Sequence, residues 1–134
     1  MTAPASTPTL DLATSTVAQI AVNVHDLDRA VRFYRDTLGL PFLFQFPGLA
    51  FFRSGDVRLM LTKAEKPEFD HQGSFIYFKV SEIEAAHQTL SARGVRFVDQ
   101  PHVVHRAPTY ELWMVFFHDS EENPYALMEE RPVS

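Results

Sequence analysis

His102, His105 and Glu111 are residue types that could form an acid–base pair or a facial metal site, and they fall close together in the chain. A neutral imidazole can take a proton or ligate an ion, and a carboxylate can orient it. Against that, Pro101 and Pro108 make the path between them irregular. A His-x-x-His spacing on extended backbone also sends the two imidazoles to opposite faces. A solvated loop is the competing reading. The chain has no Ser-His-Asp order, no phosphate-binding glycine loop and no His-Glu-x-x-His, so hydrolase, nucleotide-binding and zincin chemistry find no support. With no cysteine it has no thiol nucleophile, disulfide or Cys-zinc site.

What must position any site here is a repeated unit. Val17 to Asn23 alternates as a strand packed on one side. From Asp26 the period changes, and Leu27, Ala30, Val31, Tyr34 and Leu38 form an amphipathic helix stripe with Asp26 as N-cap and Gly39 as stop. The pattern returns 56 residues later, where Val24 falls on Val80, Asp26 on Glu82 and Leu27 on Ile83. Gly39 meets Gly94 and Phe42 meets Phe97 at a shift of 55. Self-similarity at a fixed offset marks one supersecondary unit used twice.

In the first copy, Phe42 to Phe46, Leu49 to Arg53 and Val57 to Lys63 are strands separated by Pro47-Gly48 and Ser54-Gly55-Asp56, which gives βαβββ. Ala64 to Gln72 is the linker. In the second copy Ser81-x-x-Glu84 predicts a capping box for the helix. Strands are expected at Val95 to Val98, Leu112 to His118 and Pro124 to Glu129, with residues 99–111 a long connection. The fold class is therefore α+β, two βαβββ units forming a curved mixed sheet around a central cleft. Residues 1–15 read as a flexible tail and 16–130 as one domain, with units at 16–63 and 73–130.

Strand parity selects the side chains expected to face that cleft. Gln19, Asn23, Arg58 and Met60 come from the first unit, and Phe75, Tyr77 and Ala126 from the second. Trp113, in an aromatic run with Phe116 and Phe117, is a candidate stacking surface. The inventory suits a small, partly aromatic or aliphatic ligand with one anionic or carbonyl group. Arg58, if buried, needs an anionic partner. Met60 and Phe75 read equally as filler.

A net charge of -5 without a basic stripe argues against nucleic acid. No apolar segment approaches the ~20 residues of a membrane span. The N-terminal stretch lacks a basic region and a long apolar run, so it does not read as a secretory signal, and a cytoplasmic protein is expected.

The stretches VAQIAVNVHDLDRAVRFYRDTLGL and FFHDSEENPYALME resemble those of the vicinal oxygen chelate superfamily, the glyoxalase, bleomycin-resistance and extradiol-dioxygenase group. The second is similar to that group's Asp-Pro-x-Gly-Asn turn and final strand, and the resemblance runs from Val17 to Glu129. It implies lyase, isomerase, dioxygenase or pure binding activity, and a divalent metal held by one residue from the first and last strand of each unit. Those positions carry over as Gln19, Met60, Phe75 and Ala126. Only Gln19 offers a donor suited to a hard cation, so no cofactor is expected.

Two functions follow as expectations. One is a metal-free protein that binds a small molecule. The other is a lyase, isomerase or dioxygenase whose relocated site uses His102, His105 and Glu111, with a divalent metal as the alternative cofactor. A homodimer is compatible with either.

Overall fold

The computed structural model describes residues 12–64, 67–71 and 73–133. Most of the expected N-terminal tail, residues 1–11, lies outside the described residues.

The first half contains β1 (Gln19–Asn23), α1 (Leu27–Arg32, continued by a π-helical turn over Phe33–Thr37), β2 (Phe42–Phe46), β3 (Leu49–Ser54) and β4 (Val57–Thr62). A 3-10 turn over Pro67–Phe69 lies in the linker. The second half follows with β5 (Ile76–Lys79), α2 (Ile83–Ala92), β6 (His102–Arg106), β7 (Tyr110–His118) and β8 (Pro124–Pro132). Each half forms a four-stranded mixed sheet, ordered β1-β4-β3-β2 and β5-β8-β7-β6. In each, the first strand runs parallel to the last and the other pairs are antiparallel. The first helix sits between those two parallel strands in sequence, as a parallel crossover requires.

One core serves both halves. Val22, Phe52, Leu59 and Leu61 of the first sheet and Val115, Phe117, Tyr125 and Leu127 of the second join Ala30, Tyr34 and Ile83 of the helices in a single buried cluster. Fully burying a Val, Leu, Ile or Phe side chain stabilises by about 1.5–3 kcal/mol. At the seam the Tyr34 hydroxyl donates to Asp119 Oδ2 at 2.5 Å and lies 2.6 Å from the Tyr125 hydroxyl. Burial, with Tyr125 and the Asp119 carboxylate beside it, pushes the Tyr34 phenol well above its ordinary pKa. Asp119 also accepts from the Glu121 and Asn123 backbone N–H groups and from Asn123 Nδ2. Asn123 Nδ2 in turn reaches the Asn23 carbonyl at the end of β1.

Two sequence expectations need correction. The strand expected at Val95 to Val98 is reduced to one bridge, Phe97 to Phe117, and the strand beside β7 is β6, inside the segment expected to be a connection. Ser81 does not cap α2. Glu82 occupies the cap position without a side-chain bond, and the Ile83 N–H is taken instead by Glu129 Oε1 of β8 at 2.8 Å. Glu84 turns outward to Arg131. In α1, by contrast, Asp26 caps as expected, accepting from the Arg29 N–H at 3.1 Å. Gly39 and Gly94 end the helices at φ 76° and 98°, a region that costs little only for glycine.

Candidate functional site

Because the core and both helices take one face of each sheet, alternation leaves the other face bare. On the first sheet the pairing lays side chains out in three rows. Gln19, Arg58 and Arg53 are neighbours across β1, β4 and β3. The next row is Ala21, Met60, Phe51 and Phe44, and the third is Asn23, Thr62, Leu49 and Phe46. On the second sheet Tyr77, Ala126 and Phe116 form one row, and Lys79, Met128, Met114 and His102 the next.

These faces are open and carry exposed aromatic rings beside their polar side chains. Phe44 and Phe46 are 40% and 55% exposed, and Phe75 and Tyr77 are 56% and 46% exposed. The Phe44 and Phe51 rings lie 4.6 Å apart, and Phe116 makes edge contacts with Phe75 and Tyr77. Ala126 differs from its neighbours in being fully buried, between Tyr77 and Phe116 in the pairing. Asn23 holds the linker, its Nδ2 donating to the His71 carbonyl at 2.9 Å.

The histidines sit on the second bare face for a reason that spacing does not reveal. His102 pairs with Met114 and His105 with Leu112, and Met114 and Leu112 share a face. The register shifts between Val103 and His105, so one extra residue enters the strand there. That bulge reverses parity and brings both imidazoles to one side. A matching bulge between Phe42 and Phe44 sends Phe42 to the core ring of Phe52 and Phe44 to the bare face. His102 Nδ1 lies 2.8 Å from the Gln100 carbonyl.

Glu111 does not join them. It sits one residue from Leu112, on the opposite face, and is ion-paired with Arg106. Trp113 likewise faces the core side. The Arg131 guanidinium stacks 4.2 Å from its ring centre, and its indole N–H is buried with no acceptor among the described residues. The expected trio is therefore split, and the expected stacking tryptophan lies away from the other candidates, both by the alternation of β7. Arg53, Phe44, Phe51 and Phe116 are bare-face residues that sequence reasoning missed. The alternation of Leu49, Phe51 and Arg53 carried the signal for two of them.

The positions where a divalent ion would be held do not fit one. Gln19 Oε1 already accepts from Arg58 Nε at 2.8 Å, and Gln19 Nε2 points at the Met60 sulfur at 3.6 Å. Phe75 and Ala126 offer no donor, and a thioether suits a hard cation poorly. Among the described residues no group of three or more His, Asp or Glu side chains gathers as a ligand set.

A different cluster sits where the linker meets the end of β1. His25 Nδ1 lies 3.0 Å from Glu121 Oε1, and its Nε2 lies 2.8 Å from both Asp70 oxygens. With a carboxylate on each nitrogen the imidazolium is favoured, and Asp70 first, then Glu121, raises the His25 pKa. Burial works against the Glu121 carboxylate, but the Asp26 and His25 backbone N–H groups and the His25 ring hold it below its ordinary value. Such a histidine is a clamp rather than a free base.

Comparison with known proteins agrees with this architecture. The family model described as Glyoxalase/Bleomycin resistance protein/Dioxygenase superfamily matches residues 16–124. The chain belongs to that superfamily. Within reach of it, YraH of Bacillus subtilis (strain 168), an uncharacterized protein, is 30% identical over 98 residues, 63% of this chain and 77% of its own. Lactoylglutathione lyase from Agrobacterium tumefaciens is 26% identical with a TM-score of 0.68, over 87% of this chain and 95% of that one. TnmS3, an antibiotic binding protein from Streptomyces sp. CB03234, superposes with a TM-score of 0.72 at 24% identity, covering 90% of this chain and 99% of its own. At that identity the likeness shows the fold alone. Among the described residues no helix is long and apolar enough to cross a membrane.

Proposed function

We propose that this superfamily member binds a small molecule with an apolar, largely aromatic body on the bare faces of its sheets, without a divalent metal. The observation that carries the reading is the exposure of Phe44, Phe46, Phe75 and Tyr77 on faces that no helix covers. Contiguous exposed apolar surface is a liability in water and marks a surface built to be covered. An antibiotic-binding neighbour on the same fold is consistent with it.

The metal-free half of the reading rests on Gln19, whose amide is already committed to Arg58 and Met60. Elemental analysis of protein purified without chelator should find no stoichiometric Ni, Zn, Fe or Mn. Uptake of one equivalent, lost on Gln19→Ala, refutes that half. For the ligand, a thermal-shift screen of neutral and charged aromatic molecules should return stabilising compounds. Met60→Glu, which sets a charge in the middle of the first face, should abolish their effect while the far-UV spectrum is kept.

A second reading is favoured by the β6 bulge, which sets His102 and His105 side by side on the second face. In that reading the pair supplies proton transfer for a lyase, isomerase or dioxygenase reaction. His105→Ala separates the two. Binding alone leaves ligand affinity within about tenfold, whereas the enzymatic reading requires turnover that this substitution removes.

A further inference from the structure

Arg53 and Arg58 stand directly opposite each other on β3 and β4, on the bare face and exposed. Like charges facing across an antiparallel pair destabilise a sheet. Here nothing offsets them: among the described residues no carboxylate lies within ion-pair distance of either guanidinium. Of the other arginines, Arg29, Arg35, Arg96, Arg106 and Arg131 each reach an acidic side chain, and Arg93 reaches the Thr37 carbonyl; only Arg53 and Arg58 face each other across a strand pair. In a chain of net charge -5 an unneutralised pair of arginines runs against the overall balance.

Arg58 is also held in position. Its Nε donates to Gln19 Oε1, and its guanidinium carbon lies 5.2 Å from the centre of the Phe51 ring. That contact presses one guanidinium face on an aromatic ring and leaves the terminal nitrogens available. The cation row lies one same-face step along the strands from the apolar row of Met60, Phe51 and Phe44, a spacing of roughly 7 Å. On the second sheet the bare-face lysine is paired instead, with Lys79 Nζ 3.5 Å from Glu130 Oε1.

Resting on the small-molecule reading above, we propose that the first sheet takes an aromatic oxyanion, an aryl carboxylate or its sulfonate or phosphate analogue. Its ring lies on Phe51, Phe44 and Met60, and its oxygens lie between Arg53 and Arg58. Two planar guanidinium forks suit a planar carboxylate in geometry as well as charge. Arg53, with no side-chain partner among the described residues, supplies the free fork, and Arg58, braced by Gln19 and Phe51, supplies the fixed one.

The test is calorimetric titration of the full chain with 1-naphthoate and with 1-naphthamide, which have the same ring and differ in charge. Naphthoate should bind at least about tenfold tighter than the amide, and the preference should shrink as salt is raised. Arg53→Gln and Arg58→Gln should each erode it, and the double variant should bind the two ligands equally. Arg53→Gln removes no side-chain bond to any described residue, and its far-UV spectrum should match that of the natural protein. Equal binding of both ligands by the natural protein overturns the oxyanion site and leaves the aromatic face standing. A naphthoate preference that survives in the double variant also overturns it, placing the anion elsewhere. Binding of neither ligand overturns the site together with the reading on which it rests.

Discussion

The two halves share strand order and helix placement, yet they secure their helices differently and present different chemistry on their bare faces. Both helix starts take a carboxylate from the second sheet's last hairpin, Glu121 at Asp26 and Glu129 at Ile83, but only the first adds a side-chain cap of its own, Asp26. The first bare face leaves two arginines open, while the second pairs its lysine and carries two histidines. Duplication thus repeats the backbone and frees the side chains. Whatever the fold needs can come from either half, so each half is at liberty to specialise.

The joint between the halves is where disruption should cost most. Asp119 accepts four hydrogen bonds, from the Tyr34 hydroxyl, two backbone N–H groups and the Asn123 amide. Asp119→Ala leaves several buried donors unpaired and should lower unfolding free energy by about 3 kcal/mol. Urea denaturation followed by fluorescence measures it. A loss below about 1 kcal/mol would mean the halves stand without their seam.

Helix starts come next. Glu129→Ala should cost about 2 kcal/mol, since it removes a charge-assisted bond to the Ile83 N–H and one of the two carboxylates that pair with Arg131. Asp26→Ala should cost about 1 kcal/mol, the usual cost of losing an N-cap. Ser81→Ala should stay within about 0.5 kcal/mol. If Ser81 mattered more than Glu129, the contrast between the two starts would collapse. Arg131, first, and the Ile83 N–H hold the Glu129 carboxylate below its ordinary value despite burial. Glu121 is lowered too, so both contribute stability that is present above pH 4.5 and lost as pH falls through the folded values.

The smallest effects concern two exposed residues beside that joint, Glu122 and His25. Glu122 adopts φ 67°, where the superfamily's turn resembled here has glycine. A left-handed side-chain residue costs about 1–2 kcal/mol, partly offset by glycine's larger entropy loss. Glu122→Gly should therefore raise stability by about 0.5 kcal/mol, and a decrease would show that its side-chain contacts, the exposed one with Arg96 among them, matter more. For His25 the folded pKa is raised above 6.5, so its stabilisation is complete below pH 6.5 and fades as pH rises through the folded value. The melting temperature of His25→Gln should lie below that of the natural protein on the acid side of pH 6.5 and converge with it in alkali. A gap that does not change with pH would remove the imidazolium from the joint.

Local pattern alone determined a good deal about this protein. The β2–β4 meander, the Asp26 cap, the glycine stops and the bare-face parity of Gln19, Arg58, Met60 and Tyr77 all depend on neighbours a few residues away, and the duplication shows as the same local pattern written twice. Tertiary structure alone decided the rest. The bulges near Leu43 and Val104 reverse which face each aromatic and histidine takes, and only the partner strand defines an extra residue. Glu129 displaced Ser81 as the group that meets α2 because strand pairing brought a carboxylate from 46 residues away to the helix end. Glu111 and Trp113 went to the core side with Arg106 and Arg131, since a side chain's face is set by the register of its strand and not by its chemistry.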